Sequence, residues 1–380
     1  MHFSVSSLLN VTILSGLSVL ILWLMLRHQY FINHLSFTFA FFCLGLLFLR
    51  IFIPMEYGFT WSIYDTNILP VIRRTFLHEL FTWNGWTFNV SHLLLFLWIA
   101  GSLVVLFYQL YQYVRFYHFV KSLPAVQDSR TEHTFNEILH TQKKKKYFQV
   151  VQTEHIHSPM IVKFQKYYIL MPDISLSDKE FTYILKHETT HAYHGDLALK
   201  ALVNFLCILY WWNPFVYLLQ IEMDKLLEFR ADYFITKNMN PSERVEYLEC
   251  LLHIAKEQSP YRSVPAALSF NGRKNFALTQ RFSFILQQRT KATGFLSGAI
   301  LFPFLVMILC SYCVIFEPTS PMRPEDVEEG TFELTPETAY FIRDSDNSYR
   351  LYLNGEYLTT VDTSDIGVKL PIYEKEDEIP

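Results

Sequence analysis

Two histidines and a glutamate near the middle of the chain have the types and the spacing of a metal-dependent hydrolytic site. In the segment His187-Glu188-Thr189-Thr190-His191, two imidazoles stand four positions apart. Positions four apart share one face of a helix, so both rings can bind the same zinc ion. Glu188 directly follows the first histidine and can accept a proton from a metal-bound water. The segment therefore predicts one zinc ion per chain, with Glu188 as the general base.

A catalytic zinc ion needs a third protein ligand and an open fourth position. An acidic pair downstream, Glu228 and Asp232, is also spaced by four positions. We expect Glu228 to be the third ligand beside His187 and His191, and Asp232 to accept a hydrogen bond from a ligand histidine. An acidic pair at this spacing is common on ordinary helices, so the prediction depends on its combination with the histidine motif.

The histidine motif lies on a segment with clear helix boundaries. Ser177 and Glu180 form a capping box, which marks the start of a helix, and Gly195 is a typical residue at a helix end. Upstream, residues 157–162 and 167–171 are short, apolar and rich in β-branched or aromatic side chains, which predicts two strands. This hairpin either offers an edge at which a substrate chain adds as a further strand, or only packs against the helix.

The apolar segment between the two ligand groups could be mistaken for a membrane span. Residues 197–219 are long and apolar enough to cross a bilayer. If they crossed it, His187 and Glu228 would lie on opposite sides and could not share a metal ion. Asn213-Pro214 can end one helix and begin the next, with proline in its first turn. We therefore predict a helical hairpin that turns back at this dipeptide and is either buried in the domain or dips into the inner leaflet.

The composition is typical of a membrane protein that also carries a soluble domain. Hydrophobic residues make up 51% of the 380 residues and charged residues only 18%, below the roughly 25% usual in soluble domains. The five cysteines are scattered and form no disulfide framework. The first apolar stretch lacks the basic start and the cleavage site of a signal peptide, so we interpret it as an anchor. The four predicted spans are residues 5–26, 35–54, 93–111 and 294–316.

Basic residues predict the side of the membrane on which each segment lies. Arg27, Arg115 and Lys121 flank the inner ends of the spans, whereas the tail from Glu317 holds 16 acidic and 5 basic residues. Both termini are therefore expected outside the cell, and the histidine motif in the cytoplasm. The predicted domains are residues 1–114 with three spans and an extracellular loop at 55–90, a cytoplasmic domain at 115–293, a fourth span at 294–316 and a small extracellular domain at 317–380.

The order of these motifs resembles that of the BlaR/MecR-type bacterial membrane metallopeptidases. Ser-Pro-Met, Tyr-Tyr-Ile-Leu-Met-Pro, H-E-x-x-H, Trp-Trp-Asn-Pro-Phe and E-x-x-x-D follow one another within residues 90–316. Members of that family are gluzincin receptors tied to β-lactam sensing. The resemblance implies the same roles for the two histidines, both glutamates and Asp232. It also matches Asp196 to an aspartate of the family, while Ala231 replaces a frequent cysteine.

The tail departs from the antibiotic receptors, which end in a large penicillin-binding sensor. Residues 317–380 contain no S-x-x-K serine motif. Residues 349–352 and 356–360, joined through Asn354-Gly355, predict a β-hairpin with a tight turn. The predicted fold class is a polytopic α-helical membrane protein with four spans. It has a cytoplasmic, mainly α, gluzincin-like zinc protease domain of the α+β type with a small β-hairpin, and a small extracellular β-rich tail.

The resemblance implies a membrane-bound zinc endopeptidase that acts as a signal-transducing antirepressor in a bacterial cell membrane. An extracellular ligand would switch it, and it would cleave a cytoplasmic transcriptional repressor and also itself, within the polar linker at residues 259–291. Two alternatives are a constitutive quality-control protease of the HtpX or CAAX-protease kind and a catalytically inactive receptor. Direct nucleic-acid binding is not expected. Membrane lipids are expected partners, and the lysines at 143–146 form a solvated loop or contact anionic headgroups.

Overall fold

The chain divides into two compact units, Met1–Pro318 and Thr319–Pro380. The first unit is mainly helical and the second is built from strands. The structure, a computed structural model, describes residues 5–54, 59–65, 67–83, 86–126, 129–140, 146–257, 271–287, 294–318, 334–335, 338–343, 348–353, 355–361 and 370–373.

Helices with short strands between some of them make up the first unit, and the described residues of the second unit contain strands. The helices are α1 (Val5–Arg27), α2 (Gln29–Asn33), α3 (Phe37–Phe52), α4 (Ile68–Leu77), α5 (Val90–Ser122), α6 (Ser129–His140), α7 (Asp178–His194), α8 (Asp196–Leu209), α9 (Pro214–Thr236), α10 (Pro241–Glu257), α11 (Asn271–Gln287) and α12 (Gly294–Cys313). The strands are β1 (Trp61–Asp65), β2 (Glu79–Trp83), β3 (Trp86–Asn89), β4 (Phe148–Thr153), β5 (Met160–Lys163), β6 (Tyr167–Pro172), β7 (Val314–Pro318), β8 (Ala339–Arg343), β9 (Tyr349–Leu353), β10 (Glu356–Val361) and β11 (Ile372–Tyr373).

The four expected spans correspond to α1, α3, α5 and α12. Among the described residues, two helices are long and apolar enough to cross a membrane, Ser7–Arg27 and Val90–Ser122. α3 and the Leu301–Cys313 part of α12 are apolar but shorter. By length and composition alone, α7 and α8 could together count as one broken span, bent by 63°. These helices agree with a membrane protein, while the number of spans, the domain boundaries and the side of each terminus stay predictions.

One hydrophobic core joins the apolar helices to the helices that follow the histidine motif. α1, α3 and α12 contribute Leu22, Leu44 and Phe304, and α9 contributes Leu219 and Phe229. Each of these side chains has at most 1% of its surface exposed. Burial of such side chains is a main source of folding free energy, so the position of α9 is set by this core.

A three-stranded sheet precedes the helix that carries the two histidines. The strand order is β4-β6-β5, with β5 antiparallel and β4 parallel to the central β6. The expected hairpin is therefore confirmed as β5 and β6, and β4 is a strand that the sequence patterns did not reveal. Ile161 and Ile169 of the sheet share a core with Ile184 and Leu185 of α7. This packing holds the sheet beside the histidine motif.

The helical hairpin between the two ligand groups has the expected form. Asn213 caps α9, because its side-chain oxygen accepts a hydrogen bond from the N–H of the second residue of that helix (2.9 Å). Near the turn, Gln220 Nε2 donates to Asn204 Oδ1 (2.6 Å). Farther from the turn, Lys200 pairs with Asp224 (3.5 Å). Successive pairs of this kind require that α8 and α9 lie antiparallel, so the apolar segment turns back instead of running straight.

The segment expected to be a polar linker is partly a packed helix. Phe284 and Ile285 of α11 have only 4% and 0% of their surface exposed. The ring of Phe284 meets that of Phe229 on α9, with centroids 5.5 Å apart. Residues 258–270 and 288–293 lie outside the described residues. The segment thus contains a helix whose apolar side chains pack into the main core, a feature that its description as a polar linker did not predict.

The second unit contains the β-hairpin that the tail sequence predicts. Its sheet has the order β10-β9-β8-β11, and β9 and β10 are antiparallel. Gly355 in the turn has a φ of +85°, a conformation that glycine adopts without steric cost. Asn354, the other predicted turn residue, lies outside the described residues. The hairpin and the β-rich character of this unit are thus confirmed.

Candidate metal centre

α7 presents both histidines from a helix with well-defined ends. Ser177 Oγ accepts a hydrogen bond from the Glu180 backbone N–H (3.3 Å), and the Glu180 carboxylate accepts one from the Ser177 backbone N–H (2.8 Å). Gly195 ends the helix with a φ of +77°. His187 and His191 are buried, with 8% and 5% of their surface exposed. The capping residues therefore determine where the helix begins and ends. The packing of α7 against the rest of the protein turns the face with the two imidazole rings towards the interior.

A carboxylate from α9 completes a group of three candidate ligands. The Nε2 atoms of His187 and His191 are 3.2 Å apart. Glu228 Oε2 lies 3.3 Å from His187 Nε2, and Glu228 Oε1 lies 3.6 Å from His191 Nε2. Zinc bonds of about 2.0–2.1 Å in a tetrahedral site put neighbouring ligand atoms about 3.3–3.4 Å apart. The distances among these three side chains are close to this value, which fits a zinc ion held by two nitrogens and the Glu228 carboxylate.

The second nitrogen of His191 is held by an aspartate from the start of α8. His191 Nδ1 lies 2.6 Å from Asp196 Oδ2, so the ring donates there and leaves Nε2 free as a ligand. Arg230 pairs with the other oxygen of Asp196, which is 1% exposed. Burial lowers the pKa of the His191 imidazole, but the Asp196 hydrogen bond and the nearby Glu228 carboxylate outweigh it and raise that pKa. A metal ion competes with a proton for the His191 ring, so metal binding is expected to weaken as the pH falls.

The second nitrogen of His187 is held by a tyrosine, with Asp232 behind it. His187 Nδ1 lies 2.9 Å from the Tyr247 hydroxyl, which donates to Asp232 Oδ1 (2.8 Å). Asp232 Oδ1 is itself 3.5 Å from His187 Nδ1. Asp232 was expected to accept directly from a ligand histidine. In the structure its closest link to His187 runs through Tyr247, a residue that no sequence motif singled out.

An arginine from α11 contacts both Glu228 and Asp232 of α9. Arg281 Nε and Nη2 donate to the two oxygens of Asp232 (2.7 and 2.8 Å), and Nη1 lies 3.3 Å from Glu228 Oε2. Burial raises the pKa of the Glu228 carboxyl, but its hydrogen bond with His187 and the charge of Arg281 outweigh this effect. The pKa of Glu228 therefore lies well below its usual value, and the carboxylate is ionised at neutral pH.

Glu188 lies on the same helix turn as the first histidine. It is 7% exposed, and its charge contributes to the raised pKa of His191.

Of the lysines at 143–146, only Lys146 is among the described residues. Its Nζ donates to the backbone carbonyl of Ala192 in the last turn of α7 (2.5 Å). A cation is favourable at a helix C-terminus, so this lysine stabilises the helix that carries the histidines.

Two histidines one helical turn apart, an adjacent glutamate and a further glutamate from a packed helix are the parts of a metallopeptidase site. The match to a known family agrees with this class. The model of the BlaR1 peptidase M56 family matches residues 6–285. That is well over half of the chain, and the protein belongs to this family.

Three relatives have modest identity with this chain. The methicillin resistance mecR1 protein of Staphylococcus aureus strain Mu50 is 28% identical over 197 residues, covering 49% of this chain and 32% of the relative. The regulatory protein BlaR1 of S. aureus is 25% identical over 242 residues, covering 62% and 40%. BlaR1 of Bacillus licheniformis is 28% identical over 180 residues, covering 46% and 29%. The chain thus spans only 29% to 40% of these relatives' lengths.

Proposed function

We propose that this protein is a membrane-bound zinc endopeptidase that acts as a signal-transducing antirepressor. The observation that carries the proposal is that ligand atoms of His187, His191 and Glu228 lie 3.2–3.6 Å from one another. Membership of the BlaR1 peptidase family and similarity to the regulatory protein BlaR1 of S. aureus support it. The proposed ion is one zinc per chain, since two imidazoles and a carboxylate are a ligand set typical of catalytic zinc.

The chain's own residues each have a task in the proposed chemistry. Zinc would polarise the scissile carbonyl and lower the pKa of a bound water. Glu188 would accept the proton of that water and later pass it to the leaving amine. Asp196 and Tyr247 would keep the ring of each ligand histidine in the tautomer with a free Nε2. Asp232 would act through Tyr247 as an orienting carboxylate.

The edge of the small sheet is the proposed place for a substrate chain. β5 pairs with β6 on one side, and no partner on its other side is found among the described residues. The sheet packs against α7 through Ile161 and Ile169. An extended peptide that added to β5 would gain backbone hydrogen bonds of the usual β-augmentation type. It would then run beside the helix that carries the proposed base.

Signal-regulated cleavage of a particular substrate fits the proposal better than general proteolysis of membrane proteins. The second unit is a small β-sheet of its own, which is the kind of module that can take a ligand. We propose that an extracellular signal switches cleavage of a cytoplasmic transcriptional repressor. Self-cleavage is proposed for the parts of the 259–291 segment outside α11. The protease part would lie in the cytoplasm, with both termini outside the cell.

Metal analysis of purified protein tests the proposed centre. We expect about one zinc per chain in the parent, almost none in His191→Ala or Glu228→Ala, and a normal content in Glu188→Gln. Glu246→Gln, which changes a carboxylate that pairs with Lys179, is the matched control and should keep both metal and cleavage. A parent without zinc, or a Glu188→Gln protein that cleaves at the parental rate, would overturn the proposed chemistry.

Proteomics separates the regulatory role from its alternatives. After an envelope signal, and only then, we expect fragments of a DNA-binding repressor in parent cells. In Glu188→Gln cells the repressor should stay intact. A C-terminal tag should reveal a self-cleavage fragment in the parent alone. Signal-independent loss of many membrane proteins would favour the quality-control protease. An unchanged proteome with a metal-free parent would favour the inactive receptor.

A further inference from the structure

α11 reaches the candidate metal centre through one arginine, although it is distant in sequence from the metal motifs. Arg281 spans both oxygens of Asp232 with two of its nitrogens and places the third near Glu228. The Asp232 side chain is 0% exposed and that of Arg281 is 17% exposed. A planar guanidinium that binds a carboxylate through two nitrogens fixes the direction of both groups, which a lysine cannot do.

These contacts connect Arg281 to two of the three candidate ligands. Through Asp232 and Tyr247, the arginine is linked to His187, and it contacts Glu228 directly. Asp232 is fully buried, and removal of one partner of a buried ion pair leaves the other charge uncompensated, which is strongly destabilising. Loss of that partner would disturb the aspartate, then the tyrosine, and then the histidine ring whose tautomer they hold.

Gln280, the residue before Arg281 on α11, contacts the end of α1 and the start of α2. Gln280 Nε2 lies within hydrogen-bonding distance of the Leu26 carbonyl (3.1 Å) and the Arg27 carbonyl (3.3 Å), at the end of α1. Gln29 Nε2 donates weakly to the Gln280 carbonyl (3.4 Å). α12 follows α11 in the chain after residues 288–293. α11 is therefore fixed between the metal centre on one side and the α1–α2 corner on the other.

We propose that Arg281 is a positioning residue through which the docking of α11 and the binding of zinc stabilise each other. This inference rests on the proposed zinc centre. Coupling between two binding events is reciprocal, so zinc must favour docked α11 by the same factor by which docked α11 favours zinc. A movement at either end of α11 would then change the affinity of the centre for its metal, without any contact between that movement and the ligands.

Zinc affinity of the full chain, measured in detergent by competition with a chelator, tests the first half of the coupling. We expect Arg281→Gln to bind zinc about 10–100-fold more weakly than the parent, the range found when partners of metal ligands are removed. Lys179→Gln removes the same charge at an exposed ion pair and should bind zinc within about twofold of the parent. Arg281→Lys keeps the charge but not the paired nitrogens and should fall between the two.

Hydrogen exchange of the α11 amides tests the second half and is independent of catalysis. Added zinc should slow this exchange in the parent and in Lys179→Gln, and should leave it unchanged in Arg281→Gln. Parental zinc affinity in Arg281→Gln, or faster exchange of α11 on zinc addition to the parent, would overturn the inference. If Arg281→Gln does not fold, parental affinity in Arg281→Lys overturns it equally. A parent that binds no zinc would instead overturn the proposed centre itself.

Discussion

Two apolar segments of the first unit have a similar composition, but one forms a continuous helix and the other turns back on itself. α5 is one continuous helix of 33 residues, and none of its most apolar window is buried by the protein. Residues 197–219 are broken after α8 and return as α9, whose Leu219 is fully buried. The Asn213-Pro214 pair makes the difference, because it caps a new helix where α5 has no such signal. Apolar character makes a segment able to enter a membrane, and we predict that the break keeps residues 197–219 from crossing it.

The two segments meet where the second one turns. Trp98 Nε1 of α5 donates to the Leu209 carbonyl (2.6 Å), and Trp211 Nε1 in the turn donates to the Trp98 carbonyl (3.3 Å). A Cβ added at Gly101 would collide with the Trp211 ring. The straight helix therefore supports the turn, and the turn brings the Glu228 carboxylate back to the histidines.

The largest effect is expected if residues 197–219 cross the membrane, which cysteine labelling can test. In a background without the native cysteines, Lys145→Cys and Asn240→Cys should both be inaccessible to an impermeant thiol reagent outside intact cells. Ser348→Cys should be labelled, since the second unit is predicted to lie outside. The two unlabelled positions should react after permeabilisation. Labelling of Asn240→Cys but not of Lys145→Cys would mean that the segment crosses, and the shared zinc site would then be impossible.

A smaller effect, on zinc affinity, is expected at Asp196. This residue at the start of α8 contacts His191 of α7 and Arg230 of α9. Asp196→Asn removes the charge that holds both His191 and Arg230. Zinc affinity should fall about 10–100-fold, because the ligand ring loses its orienting carboxylate. Asp178→Asn, at a carboxylate whose side chain is 91% exposed, is the control and should bind zinc as the parent does. Equal affinities would show that the contact with Asp196 does not orient the ring.

The contact between the straight helix and the turn should affect stability and not the choice of ligands. Gly101→Ala should destabilise the protein by about 1–3 kcal/mol, the usual cost of overpacking, because the added methyl meets Trp211. Gly45→Ala on α3 meets no atom within 4 Å and should be neutral or slightly stabilising. Thermal unfolding in detergent measures both. A Gly101→Ala protein as stable as Gly45→Ala would contradict the close packing.

The smallest effect is expected at the cap of the return helix. Asn213→Ala removes the oxygen that accepts from the Phe215 N–H and should cost about 1 kcal/mol. Asn213→Ser keeps a capping oxygen and should lie close to the parent. Unfolding in denaturant distinguishes the two variants. Equal losses in both would mean that packing alone forms the turn.

The local features of this protein could be predicted from its sequence. The ends of α7 follow from Ser177, Glu180 and Gly195, because caps satisfy backbone groups within a few residues. The facing of His187 and His191 follows from the helical period. The turn before α9 follows from Asn213-Pro214 for the same local reason. Once these are known, the convergence of the three ligand residues requires only that the hairpin fold back.

Only the tertiary structure reveals what holds those ligands in place. His187 and Tyr247 are 60 positions apart, and Asp232 and Arg281 are 49 apart. No short motif encodes such pairs, because they depend on how α9, α10 and α11 pack in three dimensions. Asp196 carries a weak local signal, since it follows the helix end directly after the motif. Arg281 lies in a segment that the sequence suggested to be a polar linker. Its helix could be recognised only from the hydrophobic core into which Phe284 and Ile285 pack.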